Sequence, residues 1–363
     1  MRGPPVALKR EAPNNMSALP QLSRSQSLDL DTTSAAIASA PKPRVDWIDH
    51  AKGICIFFVV MLHVNDLVQE QFGAKSWLDQ VVTFARPFRM PDFFLIAGLF
   101  LASSLRKPWR VYADKKVIHF FYFYVLWMTL NFAAFDLRHV HDQGGNIGVE
   151  YLRRFIDPTG PLWFIYILPI FFVVTRVTRS LPWWLIGGGA ALLHVTQLDT
   201  GWEVPDQFAA RYVFFYSGYM LAPQIFRIAA WARERIGAAI GYLLVWGVVN
   251  GVVVASGVAG TPYASLPLGY AGALAVIFTA VLLSTGTWTR PLRYAGENSI
   301  IIYLGDAIIS TLVARLLLSF AIDTGALALV VTLLTIAGCL GAWRILVRTP
   351  AAFLYRRPRW LRL

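Results

Sequence analysis

Charge is what this chain has least of. Only 15% of its 363 residues are Asp, Glu, Lys or Arg, where a soluble domain carries about a quarter, while 56% are apolar and the mean hydropathy is +0.52. That balance excludes an ordinary soluble domain and a disordered chain alike. Cysteine is scarcer still. Cys55 and Cys339 have no CxxC spacing and no ligand residues beside them, which excludes a disulfide scaffold and a cysteine-based metal or redox centre. There is no glycine-rich phosphate loop, no repeat at a solenoid period and no cluster of His and Cys, so no metal is expected. Residues 1 to 43 lack the apolar core that a signal peptide needs.

What is abundant is apolar and aromatic, including 24 Phe, 14 Tyr and 13 Trp. From Val45 onward, stretches of roughly 20 mostly apolar residues alternate with short polar connections, the length that crosses ~30 Å of hydrocarbon as helix. Ten are expected, near 46–66, 80–104, 117–136, 161–175, 182–198, 206–226, 236–256, 268–285, 298–320 and 325–346. The expected fold is therefore all-α, a polytopic membrane protein of about ten transmembrane helices with both termini cytoplasmic. Three regions follow: a Ser-, Pro- and Ala-rich cytoplasmic tail over 1–44, expected to be disordered, a ten-helix membrane domain over 45–346, and a basic cytoplasmic tail over 347–363.

A formal charge of +12 raises nucleic acid as a partner, but the placement of the cations answers otherwise. Of 33 Lys and Arg, 24 fall in the tails and loops of one side, and only Lys75, Arg138, Arg153 and Arg154 in loops of the other. This is the positive-inside bias of a membrane protein, and the basic C-terminal cluster reads as an anchor to anionic lipid. The other five, Lys52, Arg86, Arg89, Arg211 and Arg315, lie within spans. A charge there costs at least ~2.5–3.5 kcal/mol and marks function.

Lys52 and His63 stand eleven residues apart in an otherwise apolar span, within about 20° of one helical direction and ~16 Å apart. A cation near one mouth and an imidazole deep on the same face suit a long ligand with an anionic head and a reactive far end. The second span reads RPFRMPDFFLIAG from Arg86 to Gly98. Pro87 and Pro91 predict a kinked or broken helix, tolerated at membrane depth where it lines a cavity. Arg86 and Arg89, three apart, share a face and fall near the depth of His63, with Asp92 near the midplane. Asp66, one turn past His63, is placed to orient the ring. His139, His141 and Asp142 read as a solvated turn, and His50, His119 and His194 as structural.

These residues resemble the integral-membrane acyltransferases of acyltransferase family 3. DWIDHAKGICIFFVVMLH resembles the family's first helix, with a basic residue eleven positions before a histidine; FRMPDFFLIAG resembles its second-helix motif. LWFIYIL from Leu162 resembles its fourth-span signature, and YAGENSIIIYL from Tyr294 its late Gly-x-Asn-Ser…Tyr segment. The resemblance covers about 44–346. Departures are Lys52, where Arg is common, Asp92, where an apolar residue is usual, Ala97, and Asp306, where a second His often follows the Tyr.

The resemblance implies a bacterial cytoplasmic (inner) membrane enzyme. It would transfer an acyl group, usually acetyl or succinyl, from acyl-CoA to a hydroxyl on a carbohydrate or lipid-linked acceptor. His63 matches the essential histidine and Lys52 the basic residue. On this reading His63 is the general base, Asp66 its orienting group, and Arg86 or Arg89 the oxyanion donor. Lys52, Arg290, Arg293, Asn298 and Ser299 hold the donor nucleotide. Asp92, Trp163, Tyr166, Arg211 and Tyr303 line the acceptor path. A broken helix with buried charges also describes a midplane transport site, so a glycan or lipid exporter stays open, as does a non-catalytic membrane partner on the same fold.

Overall fold

The computed structural model describes residues 3, 45–72, 75–158, 160–317 and 323–363; the tail expected to be disordered lies, apart from Gly3, outside the described residues. Every regular element among the described residues is helical. Ten helical segments follow the ten apolar stretches: α1 (Asp46–Phe72), α2 (Leu78–Gly98), α3 (Trp109–Asp142), α4 (Trp163–Val177), α5 (Trp183–Thr196), α6 (Glu203–Met220), α7 (Ile236–Ala255), α8 (Pro262–Leu283), α9 (Ser299–Leu317) and α10 (Thr324–Leu346). Seven of them, α1, α3, α4 with its flanking turns, and α7 to α10, are long and apolar enough to cross a membrane. The other three depart for reasons visible in their residues. α2 carries Asp79, Arg86, Arg89 and Asp92, α6 carries Glu203, Asp206 and Arg211, and α5 has only 14 residues.

Several expectations are corrected. α2 is not broken: it runs as one helix through Pro87 and Pro91. Each proline removes a single backbone donor, the ladder on either side persists, and Thr83, Pro87 and Pro91 line a cavity, where imperfect backbone pairing is tolerated. The residues from His139 to Asp142 form the last turn of α3 rather than a loop, and the turn comes at Gly144, with φ 70°. The basic C-terminal segment is not simply a lipid anchor. Arg357 donates to the Asp114 carbonyl at 2.8 Å and also to its carboxylate, and the Leu363 N–H donates to the same carboxylate at 2.9 Å. Trp127 Nε1 holds the Leu354 carbonyl at 3.0 Å.

In lipid there is little hydrophobic gain from pairing helices, so close backbone approach and buried polar contacts position them. α1 is enclosed by α2, α8, α9, α10 and the short helix Arg290–Glu297. A Cβ on Gly296 would sit 1.7 Å from the Asp49 carbonyl oxygen, so that helix presses directly on α1. α2 is gripped likewise. A Cβ on Gly218 of α6 would lie 2.0 Å from the Leu95 carbonyl oxygen, and one on Gly272 of α8 would lie 2.1 Å from Phe88 Cβ. Asn250, one of two buried residues on the mostly exposed α7, donates from Nδ2 to the Phe84 carbonyl at 2.9 Å. These contacts fix the depth and rotation of the helix that carries Arg86 and Arg89.

Overpacking a tight contact costs about 1–3 kcal/mol. Gly218→Ala is therefore expected to lower stability by that amount in thermal or denaturant unfolding of the detergent-solubilised protein. Gly188→Ala, where a Cβ meets nothing within 4 Å, serves as the control and leaves the transition in place.

Candidate active site

His63 lies in the C-terminal half of α1, and its Nδ1 is 2.7 Å from Asp306 Oδ2 on α9, a carboxylate only 1% exposed. With Nδ1–H donating to Asp306, the ring is held in the tautomer whose Nε2 carries the free lone pair. The ring lines a cavity of about 200 Å³ with Arg89, Met90, Phe93, Trp163, Phe164, Gln207, Arg211 and Tyr303 among its walls. Arg89 Nε and Nη1 are buried there without a protein partner. The guanidinium that borders the cavity is thus held without an ion pair to fix its charge.

A second cavity of about 290 Å³ begins at Lys52, Gly296, Glu297 and Ser299 and is walled by Ile96, Ala97, Phe120, Ile165, Leu168 and Ile300. Phe93, Phe164 and Tyr303 belong to both cavities. These rings meet edge to face, Phe93 with Phe164 at 4.7 Å and Phe164 with Tyr303 at 5.7 Å between centroids. Tyr303 is fixed from its other end by donating to the Pro161 carbonyl. The two cavities thus run end to end along α1, polar at the Lys52 mouth, apolar in the middle, and polar again at His63. Lys52 also reaches Asp49 at 3.4 Å.

The structure redistributes other expected residues. Asp66 is exposed, and the ring contact expected of it is made by Asp306 instead. Arg86 does not share the His63 cavity; it lines a third, of about 500 Å³, with Thr83, Gln197, Arg211 and Ser265. Asp92 is fully buried and accepts from the Cys55 thiol, so it ties α1 to α2 rather than facing a substrate path. Tyr166 donates to the Phe155 carbonyl at 2.8 Å. Asn298 Nδ2 donates to the Tyr294 carbonyl at 2.9 Å, while its neighbour Ser299 lines the second cavity. Arg293 is ion-paired with Asp46 at 3.3 Å and Glu297 at 3.0 Å, and Arg290 is exposed and lines none of the three cavities. Trp163, Arg211 and Tyr303 do line the His63 cavity.

Two residues escaped assignment from sequence. Asp306 is an acid inside an apolar helix, but its partner lies 243 positions away, beyond the reach of any local pattern. Gln207 precedes Arg211 by one turn and accepts from its Nε at 3.3 Å, a spacing visible in the sequence. No group of three or more His, Cys, Asp or Glu stands together to hold a metal among the described residues.

A family model described as an acyltransferase domain matches residues 45–344, and the chain belongs to that family. It is 27% identical over 157 residues to the inner membrane protein YcfT of Escherichia coli, covering 37% of this chain and 44% of that protein. It is also 27% identical over 186 residues to the nodulation protein NolL of Sinorhizobium fredii, covering 49% and 48%. The chain spans about half the length of these curated relatives. No solved structure matches.

The His63 tautomer has a direct readout. In ¹⁵N-histidine NMR of the solubilised protein, the signal lost in His63→Gln is expected to report a protonated Nδ1 and a bare Nε2. Asp306→Ala releases that preference. An Nε2-protonated ring in the unaltered protein contradicts the geometry.

Proposed function

We propose that this member of the acyltransferase domain family is a multi-pass bacterial inner-membrane O-acyltransferase. It moves an acyl group, acetyl or succinyl, from acyl-CoA to a hydroxyl of a carbohydrate or lipid-linked acceptor. The observation that carries the reading is the His63–Asp306 pair at the far end of two cavities that share three aromatic walls and begin at Lys52. That distance, ~16 Å along α1, is of the order of a pantetheine arm. The residues suit a thioester-ended donor: a cation and the Ser299 hydroxyl at the mouth, hydrocarbon and aromatic walls along the arm, and a base with unpaired guanidinium donors at the far end.

In the proposed reaction His63 Nε2 removes the proton from the acceptor hydroxyl as its oxygen attacks the thioester carbonyl. Asp306 keeps Nδ1 protonated and the ring in line. Arg89, on the wall of the same cavity, turns its guanidinium charge toward the oxyanion of the tetrahedral intermediate. When the carbon–sulfur bond breaks, the proton on Nε2 passes to the departing CoA thiolate, and His63 is restored. Each proton and each bond is accounted for without a metal ion or an added nucleophile. Phe93, Phe164 and Tyr303 exclude water from the thioester, which favours transfer over hydrolysis.

Purified protein incubated with radiolabelled acetyl-CoA and a membrane-derived acceptor extract tests this directly. Transfer is expected to fall ~10²–10⁴-fold in His63→Ala, the worth of a general base. Lys52→Ala is expected to weaken acetyl-CoA binding roughly tenfold, the scale of one hydrogen bond from a charged group, with little change in kcat. Lys52→Arg preserves binding. Undiminished transfer in His63→Ala would remove the base from the mechanism, and CoA affinity indifferent to Lys52→Ala would remove the mouth cation.

A further inference from the structure

Three guanidinium groups line the His63 cavity and its neighbour, with Asp66 and Glu203 near enough to act on Arg89 and Arg211 through space but no carboxylate among the described residues in direct contact with any of the three. Arg89 lies within Coulombic reach of both Arg86 and Arg211, and none of the three forms an ion pair among the described residues. Arg89 keeps buried Nε and Nη1 unpaired, and Arg211 spends its Nε on the neutral Gln207 at 3.3 Å. Elsewhere the buried arginines spend both terminal nitrogens on the protein: Arg176 donates to the carbonyls of Leu105 at 2.8 Å and Lys107 at 2.7 Å, and Arg357 is held by Asp114. Guanidinium groups that line cavities without a direct ion pair are placed to take one from an anionic ligand.

The cavities show where that ligand lies. The His63 cavity, about 200 Å³, is below the ~300–1,000 Å³ of ordinary small-molecule sites and must already take the thioester end of the donor. Next to it, and sharing Arg211 as a wall, is the cavity of about 500 Å³ lined by Thr83, Arg86, Gln197 and Ser265. Gln197, with its side chain donating to the Gly260 carbonyl at 2.6 Å, places this cavity at the end of the bundle opposite Lys52. The donor mouth and this cavity therefore approach His63 from opposite ends.

We propose that the third cavity is the acceptor site and that the acceptor bears a phosphate ester, bound between Arg86 and Arg211, with its hydroxyl reaching His63 past Arg211. This rests on the acyl-transfer reading and narrows it to an anionic acceptor. Two planar guanidinium forks match the several oxygens of a phosphate better than a single point charge would. Thr83, Gln197 and Ser265 supply hydrogen-bonding groups for hydroxyls, and Arg89 is left to the oxyanion. The phosphate belongs either to a lipid headgroup or to a soluble phosphate ester.

Binding is measured in dodecyl maltoside, which contains no phosphate, with radiolabelled sn-glycerol 3-phosphate against glycerol and with phosphatidylglycerol against diacylglycerol. Acetyl-CoA binding is measured on the same samples. A phosphate-bearing probe is expected to bind saturably, tenfold or more tightly than its phosphate-free counterpart. Arg86→Gln and Arg211→Gln each remove at least tenfold of that affinity, and in Arg86→Gln, whose side chain lies outside the His63 cavity, acetyl-CoA affinity stays within twofold. Arg86→Lys, which keeps the charge and loses the fork, falls between. Binding of phosphatidylglycerol alone assigns a lipid headgroup; binding of glycerol 3-phosphate assigns a soluble ester; both support the site. Equal binding of probes with and without phosphate overturns the proposal, as does loss of acetyl-CoA affinity in Arg86→Gln, which would give that arginine to the donor. Phosphate binding in a protein that does not bind acetyl-CoA supports the anion site and defeats only the acyl-transfer reading.

Discussion

Hydrocarbon gives an ionisable side chain two places to be, in a satisfied pair or on the wall of a cavity, and the 2.7 Å contact of His63 with Asp306 occupies both at once. It joins α1 to α9 across 243 positions of sequence, with the carboxylate sealed in the protein and the ring on the cavity wall. The surrounding structure serves that placement. Gly296 lets the helix before α9 press against the backbone of α1, and Gly218 and Gly272 hold α2 at the separation that brings Arg89 to the same cavity. A larger residue at any of these crossings would move the imidazole, the carboxylate or the guanidinium relative to the others.

The remaining charges divide along the same line. Arg176, Arg293 and Arg357 are consumed by carbonyls and carboxylates and hold helices or the C-terminal segment in place. Asp92 is buried against Cys55 and fastens α1 to α2. Lys52, His63, Arg86, Arg89 and Arg211 instead line cavities, and these are the groups that chemistry and recognition can use. Access to a cavity, more than position in the bilayer, separates these charges from those that only hold helices together.

Much of this was legible in the residues. Runs of about 20 apolar residues marked the helices, because lipid forces backbone pairing within each segment. The eleven-residue spacing of Lys52 and His63 placed them on one side of α1, because helical phase depends only on local geometry. Long-range partners were beyond that reach. Asp66 was the nearest acid to His63 along the chain, yet a side chain on α9 takes the ring, and no local pattern signals an encounter across 243 positions. The three-residue spacing of Arg86 and Arg89 implied one shared role, but the packing of α6 and α8 on α2 splits them between two cavities. The prolines in α2 suggested a break that the flanking helical ladder and the grip of neighbouring helices prevent.

The His63–Asp306 pair is tested most directly by steady-state transfer from acetyl-CoA in Asp306→Asn, a change that keeps the shape of the side chain and removes its charge. If the carboxylate holds His63 in its basic tautomer, kcat falls on the order of 10²–10⁴-fold, the range spanned by losing a general base or the group that orients it, while acetyl-CoA affinity stays within about twofold. A kcat equal to that of the unaltered protein would contradict the pairing as the source of the base.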